Sequence, residues 1–179
     1  MKIRTASFSI IAFALLMAFF FSSAYAQQGG SGIIVGETAI APGDPMQVIF
    51  SEFGAPEHIA PIRGKGAKNG KSGKKNDYVQ LHYVEEGLYF NLRGDDNTIH
   101  AIMVESPRKI KNVPFSVGMK YDQVKAAWGE PDKKEAGYAN YIKKGIVFKV
   151  SDSGEIELIA IFKPGTTEAT STPQHGSAT

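Results

Sequence analysis

The chain has 179 residues, of which 42% are hydrophobic and 21% charged, and it contains no cysteine. That apolar content suffices for a packed core, while the missing cysteines exclude disulfides, thiolate chemistry and lipid attachment through an N-terminal cysteine. The formal net charge of +2 does not mark a polyanion binder, because Lys2 and Arg4 lie in the N-terminal leader and without them bases and acids balance.

Met1-Lys2-Ile3-Arg4 supplies a positive start, Ile10 to Phe21 an apolar centre, and Ala24-Tyr25-Ala26 small residues at the two positions a signal peptidase reads. A membrane-spanning helix wants roughly 20 apolar residues; this centre is shorter, and Ser22-Ser23 interrupt it. Residues 1–26 therefore read as a cleavable secretory signal, with the mature chain starting at Gln27. The expected location is periplasmic or extracellular, with no membrane span after cleavage. Residues 27–39 read as a flexible, Gly-rich leader with a candidate first strand, and residues 164–179, rich in Thr, Ser, Gly and Ala, as a disordered tail.

Between these ends the sequence repeats itself. Gly43-Asp44-Pro45-Met46-Gln47-Val48-Ile49 returns as Gly118-Met119-Lys120-Tyr121-Asp122-Gln123-Val124, and Phe53-Gly54-Ala55-Pro56-Glu57 as Trp128-Gly129-Glu130-Pro131-Asp132, at a common offset. Tyr83 to Phe90 returns as Tyr141 to Phe148 at a shorter one, so the first copy holds an insertion. The copies span residues 40–106, with the insertion at about 61–77, and residues 115–163, joined by a linker at 107–114.

Each copy opens with a short helix. In the first, Asp44 is the expected N-cap, Pro45 the first helical residue and Gln47 the partner in a capping box. Met46, Ile49 and Phe53 form an apolar stripe, as do Tyr121, Val124 and Trp128. Gly54-Ala55-Pro56 and Gly129-Glu130-Pro131 end the helices. Three strands follow: Tyr78 to Val84, Gly87 to Leu92 and Ile99 to Val104 in the first copy; Tyr138 to Ile142, Gly145 to Val150 and Ile156 to Ile161 in the second. The expected fold is α+β: two tandem α-β-β-β repeats forming an antiparallel sheet with helices on one face.

The duplicated Gly-x-x-x-x-x-Val and Trp/Phe-Gly-x-Pro signals, each followed by a three-stranded meander, resemble the β-lactamase-inhibitor-protein-like superfamily, which includes small outer-membrane assembly lipoproteins of the SmpA/OmlA type. The resemblance covers about Ile40 to Phe162. It implies an exported, non-enzymatic protein that binds other proteins with its sheet face and loops. The assembly lipoproteins have one unit and a lipidated cysteine, and the inhibitors have disulfides; this chain has neither cysteine nor disulfide.

Candidate sites are few. Arg63, Lys65, Lys68, Lys71, Lys74 and Lys75 lie among four glycines with no acid between them, making the insertion a cationic loop on an acidic body. It is the tentative binding site for an anionic lipid, an envelope polymer or an acidic partner; the plainer reading is a solvated extension. Gly70-Lys71-Ser72 fails as a phosphate loop because Lys65 occupies the position that needs glycine. Arg93-Gly94-Asp95 reads as turn chemistry. His58, His82, His100 and His175 show no metal-ligand spacing, and Asp95, Asp96 and Asp152 lack the graded spacing of a calcium loop, so no metal or cofactor is expected. Glu85-Glu86 is a poor catalytic carboxylate pair, no Gly-x-Ser-x-Gly occurs, and Phe53 and Trp128 read as core. Nucleic-acid binding would want aromatics among the basic residues, and the insertion has none.

The function expected from sequence is that of an exported, non-enzymatic binding protein of the cell envelope, recognising another protein or an anionic polymer. The alternative is an enzyme acting on a cell-wall or carbohydrate substrate in the cleft between repeats. Carboxylates converging in that cleft would favour the enzyme, and an aromatic or apolar sheet face would favour binding.

Overall fold

Leu88, Phe90 and Leu92 alternate with Tyr89, Asn91 and Arg93, and the period of two sends the first three to one face of a strand and the others to the opposite face. The computed structural model, which describes residues 30–63 and 77–166, builds most of the chain this way. An eight-stranded antiparallel sheet runs in the order β3 (His58–Arg63), β4 (Asp77–Tyr83), β5 (Leu88–Arg93), β6 (Ile99–Val104), β11 (Ile156–Phe162), β10 (Ile146–Val150), β9 (Tyr138–Tyr141) and β8 (Lys133–Glu135). A second sheet of three short strands has the order β2 (Thr38–Ile40), β1 (Gly32–Val35) and β7 (Ile110–Lys111). The fold is α+β, mostly strand.

Helices α1 (Gln47–Phe53) and α2 (Tyr121–Trp128) pack on one face of the large sheet. Ile49, Tyr121 and Val124 from the helices, Ile33, Ile40 and Ile110 from the small sheet, and Phe90, Leu92, Ile146, Phe148 and Ile159 from the large sheet form one buried cluster. Phe53 and Trp128 pack against this core while remaining partly exposed. Gly54 and Gly129 end the helices with φ of 73° and 78°, and their N–H groups donate to the carbonyls of Phe50 and Lys125.

The two halves close with matching bonds. The Tyr83 hydroxyl donates to the Gly54 carbonyl at 2.7 Å, and the Tyr141 hydroxyl to the Gly129 carbonyl at 2.8 Å. Gly43 N–H donates to Ile99 O and Gly118 N–H to Ile156 O. Isolated bridges pair Pro45 with Thr98 and Lys120 with Glu155. The register shifts between Asn91 and Leu92, and again between Lys149 and Val150.

Several expectations are corrected. Each helix is followed by four strands rather than three. β8, with Lys133, Lys134 and Glu135 all exposed, has no apolar residue to betray a period. β3 carries Pro61, which is tolerated because the strand lies at the sheet edge. Ile62 and Arg63, assigned to the basic insertion, are strand residues opposite Tyr78 and Asp77. Asp44 does not cap α1: its carboxylate accepts from Ala41 N–H at 2.8 Å, closing the preceding turn, and Met46 stands at the cap without a side-chain bond. Residues 27–39, given a candidate first strand, contain β1, and the linker at 107–114 contains β7. The signal peptide, residues 64–76 and the tail from residue 167 lie outside the described residues.

Burial raises the pKa of the Tyr121 hydroxyl, and the neighbouring Tyr141 hydroxyl, 3.3 Å away, adds to the effect. Tyr83 is pushed up by burial and then by the charge of Glu57. A folded-state constant raised above the unfolded value of 10.0 contributes nothing differential below that pH and costs stability above it. The urea midpoint should stay level from about pH 7 to 9 and fall above about pH 10. A midpoint that holds through pH 11 while tyrosine absorbance shows ionisation would contradict this burial.

Candidate functional site

The face of the large sheet opposite the helices carries the most distinctive side chains. Tyr78, Gln80 and His82 project to it from β4, since the intervening Val79, Leu81 and Tyr83 belong to the core. His58 on β3 lies directly opposite His82, and their ring centres are 6.4 Å apart, edge to face. His82 in turn meets Tyr89 of β5 edge-on at 5.1 Å. Gln80 donates through Nε2 to Asn91 Oδ1 at 3.0 Å, joining β4 to β5 by an amide pair. His100 stacks on Tyr78 at 4.7 Å and 29°; its place at the register shift between β5 and β6 brings it to this face.

Towards the second half the face becomes apolar. Met103, Val147, Leu158, Ala160 and Phe162 form a separate buried cluster, with Tyr89, Ala101 and Tyr138 packed around it. Every one of these side chains comes from the sheet itself. Tyr89 links the two regions, and its hydroxyl is pushed up by burial, then by the charge of Glu105 and a hydrogen bond to it. At the rim Lys149 pairs with Glu157 at 2.9 Å, and Asn140 is buried with its amide on Lys133 O at 3.3 Å.

The structure thus places His58, His82 and His100, which the sequence presents as scattered, on one face of the sheet, with His58 beside His82 and His100 beside Tyr78. Their common face depends on strand pairing and on an irregularity in register, neither of which leaves a local sequence signal. His175 lies outside the described residues, as do Lys65, Lys68, Lys71, Lys74 and Lys75. Arg63 ends β3, opposite Asp77.

The other candidates fall into structural places. Arg93 ends β5, and Asp96 Oδ1 accepts from the hydroxyl and N–H of Thr98 at 2.7 and 2.9 Å. The Thr98 hydroxyl is the main cause that holds the Asp96 carboxyl below its usual range. Glu86 binds the Arg108 guanidinium on the protein surface, and Asp152 stands in the β10–β11 turn. Glu57, through bonding to backbone N–H groups, and Asp122, through Lys125, are also held low. That direction is opposite to the one a proton-donating catalytic acid needs. Among the described residues no cluster of three or more His, Cys, Asp or Glu side chains could hold a metal ion, and no helix is long and apolar enough to cross a membrane.

No protein-family model and no curated protein sequence matches the chain. Among solved structures it is similar to an extracellular protein containing an SCP domain from Bacillus anthracis str. Ames, at 11% identity and a TM-score of 0.41. The match covers 73% of this chain and spans 50% of that protein's chain.

Proposed function

We propose that this is an exported, non-enzymatic binding protein of the cell envelope, built from two copies of one helix-and-strands unit, that recognises another protein through the sheet face opposite its helices. One observation carries the reading: a continuous tract on that face in which histidine and tyrosine rings, an amide pair and an apolar cluster adjoin without a metal-binding group among the described residues. His58 is exposed and Tyr78, His82, Tyr89 and His100 are half-buried, so these rings supply the contact area by which protein interfaces gain affinity, on a support of the buried amide and apolar side chains. The duplication is supported by the paired closures of Tyr83 on Gly54 and Tyr141 on Gly129, and by the two equivalent register shifts. Export rests on the leader read from sequence, and the envelope as the location on the family resemblance.

The test is capture of a partner from envelope extract by the mature chain from Gln27. His58→Ala combined with Tyr78→Ala removes one exposed and one half-buried ring of the tract, and retained circular dichroism confirms folding. Capture of the specific partner should fall at least about tenfold, as for a hot-spot residue pair. Undiminished capture by the folded double variant would move recognition away from this face.

A further inference from the structure

A groove of about 580 Å³ runs between β1 and the chain that follows β6, with Ile34 on one side and residues 107–116 on the other. Its size lies within the roughly 300–1,000 Å³ of ligand sites. Val113 and Phe115 are buried and give it an apolar base. Arg108, Lys109 and Lys111 are its charged wall residues, and no carboxylate lines it. Lys109 and Lys111 are exposed, and neither makes an ion pair among the described residues. Arg108 gives Nη2 to Glu86, yet its Nε is buried with no acceptor.

We propose that this groove is a binding site for a short acidic peptide segment of a partner protein, with carboxylates on Lys109 and Lys111 and an apolar side chain over Val113 and Phe115. Charge complementarity selects the occupant: two exposed lysines two residues apart, beside an Arg108 already held by Glu86, suit carboxylates spaced along a chain better than a single head group. The groove is open to solvent rather than enclosed, so it cannot bury a long acyl chain, whereas a peptide needs only one apolar anchor and keeps its polar backbone wet. The walls share no residue with the sheet-face tract, so this site stands or falls separately from that reading.

Trp128 is the only tryptophan, and its ring meets Phe115 edge-on at 5.0 Å. Its emission therefore reports on the base of the groove. The mature chain is titrated with a hexapeptide of alternating Glu and Leu, the matching Gln and Leu peptide, and dodecanoate. The acidic peptide is expected to bind and to perturb Trp128 emission, with affinity reduced at least about tenfold at about 0.5 M salt and by a similar factor in the Lys109→Glu, Lys111→Glu variant. The neutral peptide is expected not to bind. Should the charge-reversed chain fail to fold, Lys109→Gln with Lys111→Gln replaces it and should still weaken binding several-fold. The proposal is overturned if the acidic peptide does not bind, if either folded variant binds it as tightly as the parent, or if dodecanoate binds and the peptide does not.

Discussion

Phe148→Ala is expected to lower the unfolding free energy by about 3–5 kcal/mol, the range for deleting a buried aromatic ring. Phe148 is 0% exposed, and four rings surround it: Tyr141 at 5.8 Å, Trp128 at 5.9 Å, Phe115 at 6.1 Å and Tyr121 at 6.4 Å. Its removal leaves a void that those rings cannot jointly fill, because the Tyr121 hydroxyl is held against that of Tyr141, which is itself bonded to Gly129 O. Trp128→Ala should cost less, about 2–3 kcal/mol, because the indole is partly exposed and the Lys144 ammonium lies over its ring at 4.7 Å. Urea unfolding followed by circular dichroism measures both. A Phe148→Ala loss below about 1 kcal/mol would mean that the aromatic cluster is not the anchor of the second half.

Gly145→Ala is expected to be nearly as damaging, at about 3–4 kcal/mol, combining left-handed strain with a steric clash. Gly145 has φ of 69°, and a Cβ there would press into the Phe162 carbonyl oxygen and sit 3.0 Å from the nitrogen of Pro164. Those are backbone atoms at and just beyond the end of the closing strand, and Phe162 N–H donates to Gly145 O, so neither side can retreat without losing the bond. Gly54→Ala provides the comparison: φ is 73°, but nothing lies within 4 Å of the added carbon. With ψ of −149° it lies near a region essentially confined to glycine, so it should lose only backbone strain, about 1–3 kcal/mol. Equal losses at the two positions would remove the clash from the account.

Much of the fold was legible because the core strands obey a simple period. Ile99 to Val104 was bounded correctly, and the Gly-x-Pro stops located both helix ends. β3 and β8 escaped notice for a physical reason: edge strands need not alternate, since only one neighbour pairs with them and little of their surface is buried. The capping role given to Asp44 failed because the same carboxylate can close either the turn before it or the helix after it, and tertiary position decides between them. The candidate tract was less legible than the fold. Alternation places Tyr78, Gln80 and His82 on one side of β4, but the partner of each ring is set by register across β3, β5 and β6. The groove was invisible from sequence, because Ile34 and Phe115 meet only through tertiary packing.

The two halves of the large sheet touch along one line, β6 against β11, where Val104 faces Ile159 and Ala101 faces Phe162. Each of these is the last strand of its half. β11 also lies between β6 and β10, so a chain lacking its final strand has no continuous sheet, only two separate fragments. The join is long-range and is completed by nearly the last described residues, so it cannot close while Ile156 to Phe162 are still within the ribosome or the translocation channel. Either half can gather its own strands first, but the continuous sheet waits on Ile156 to Phe162.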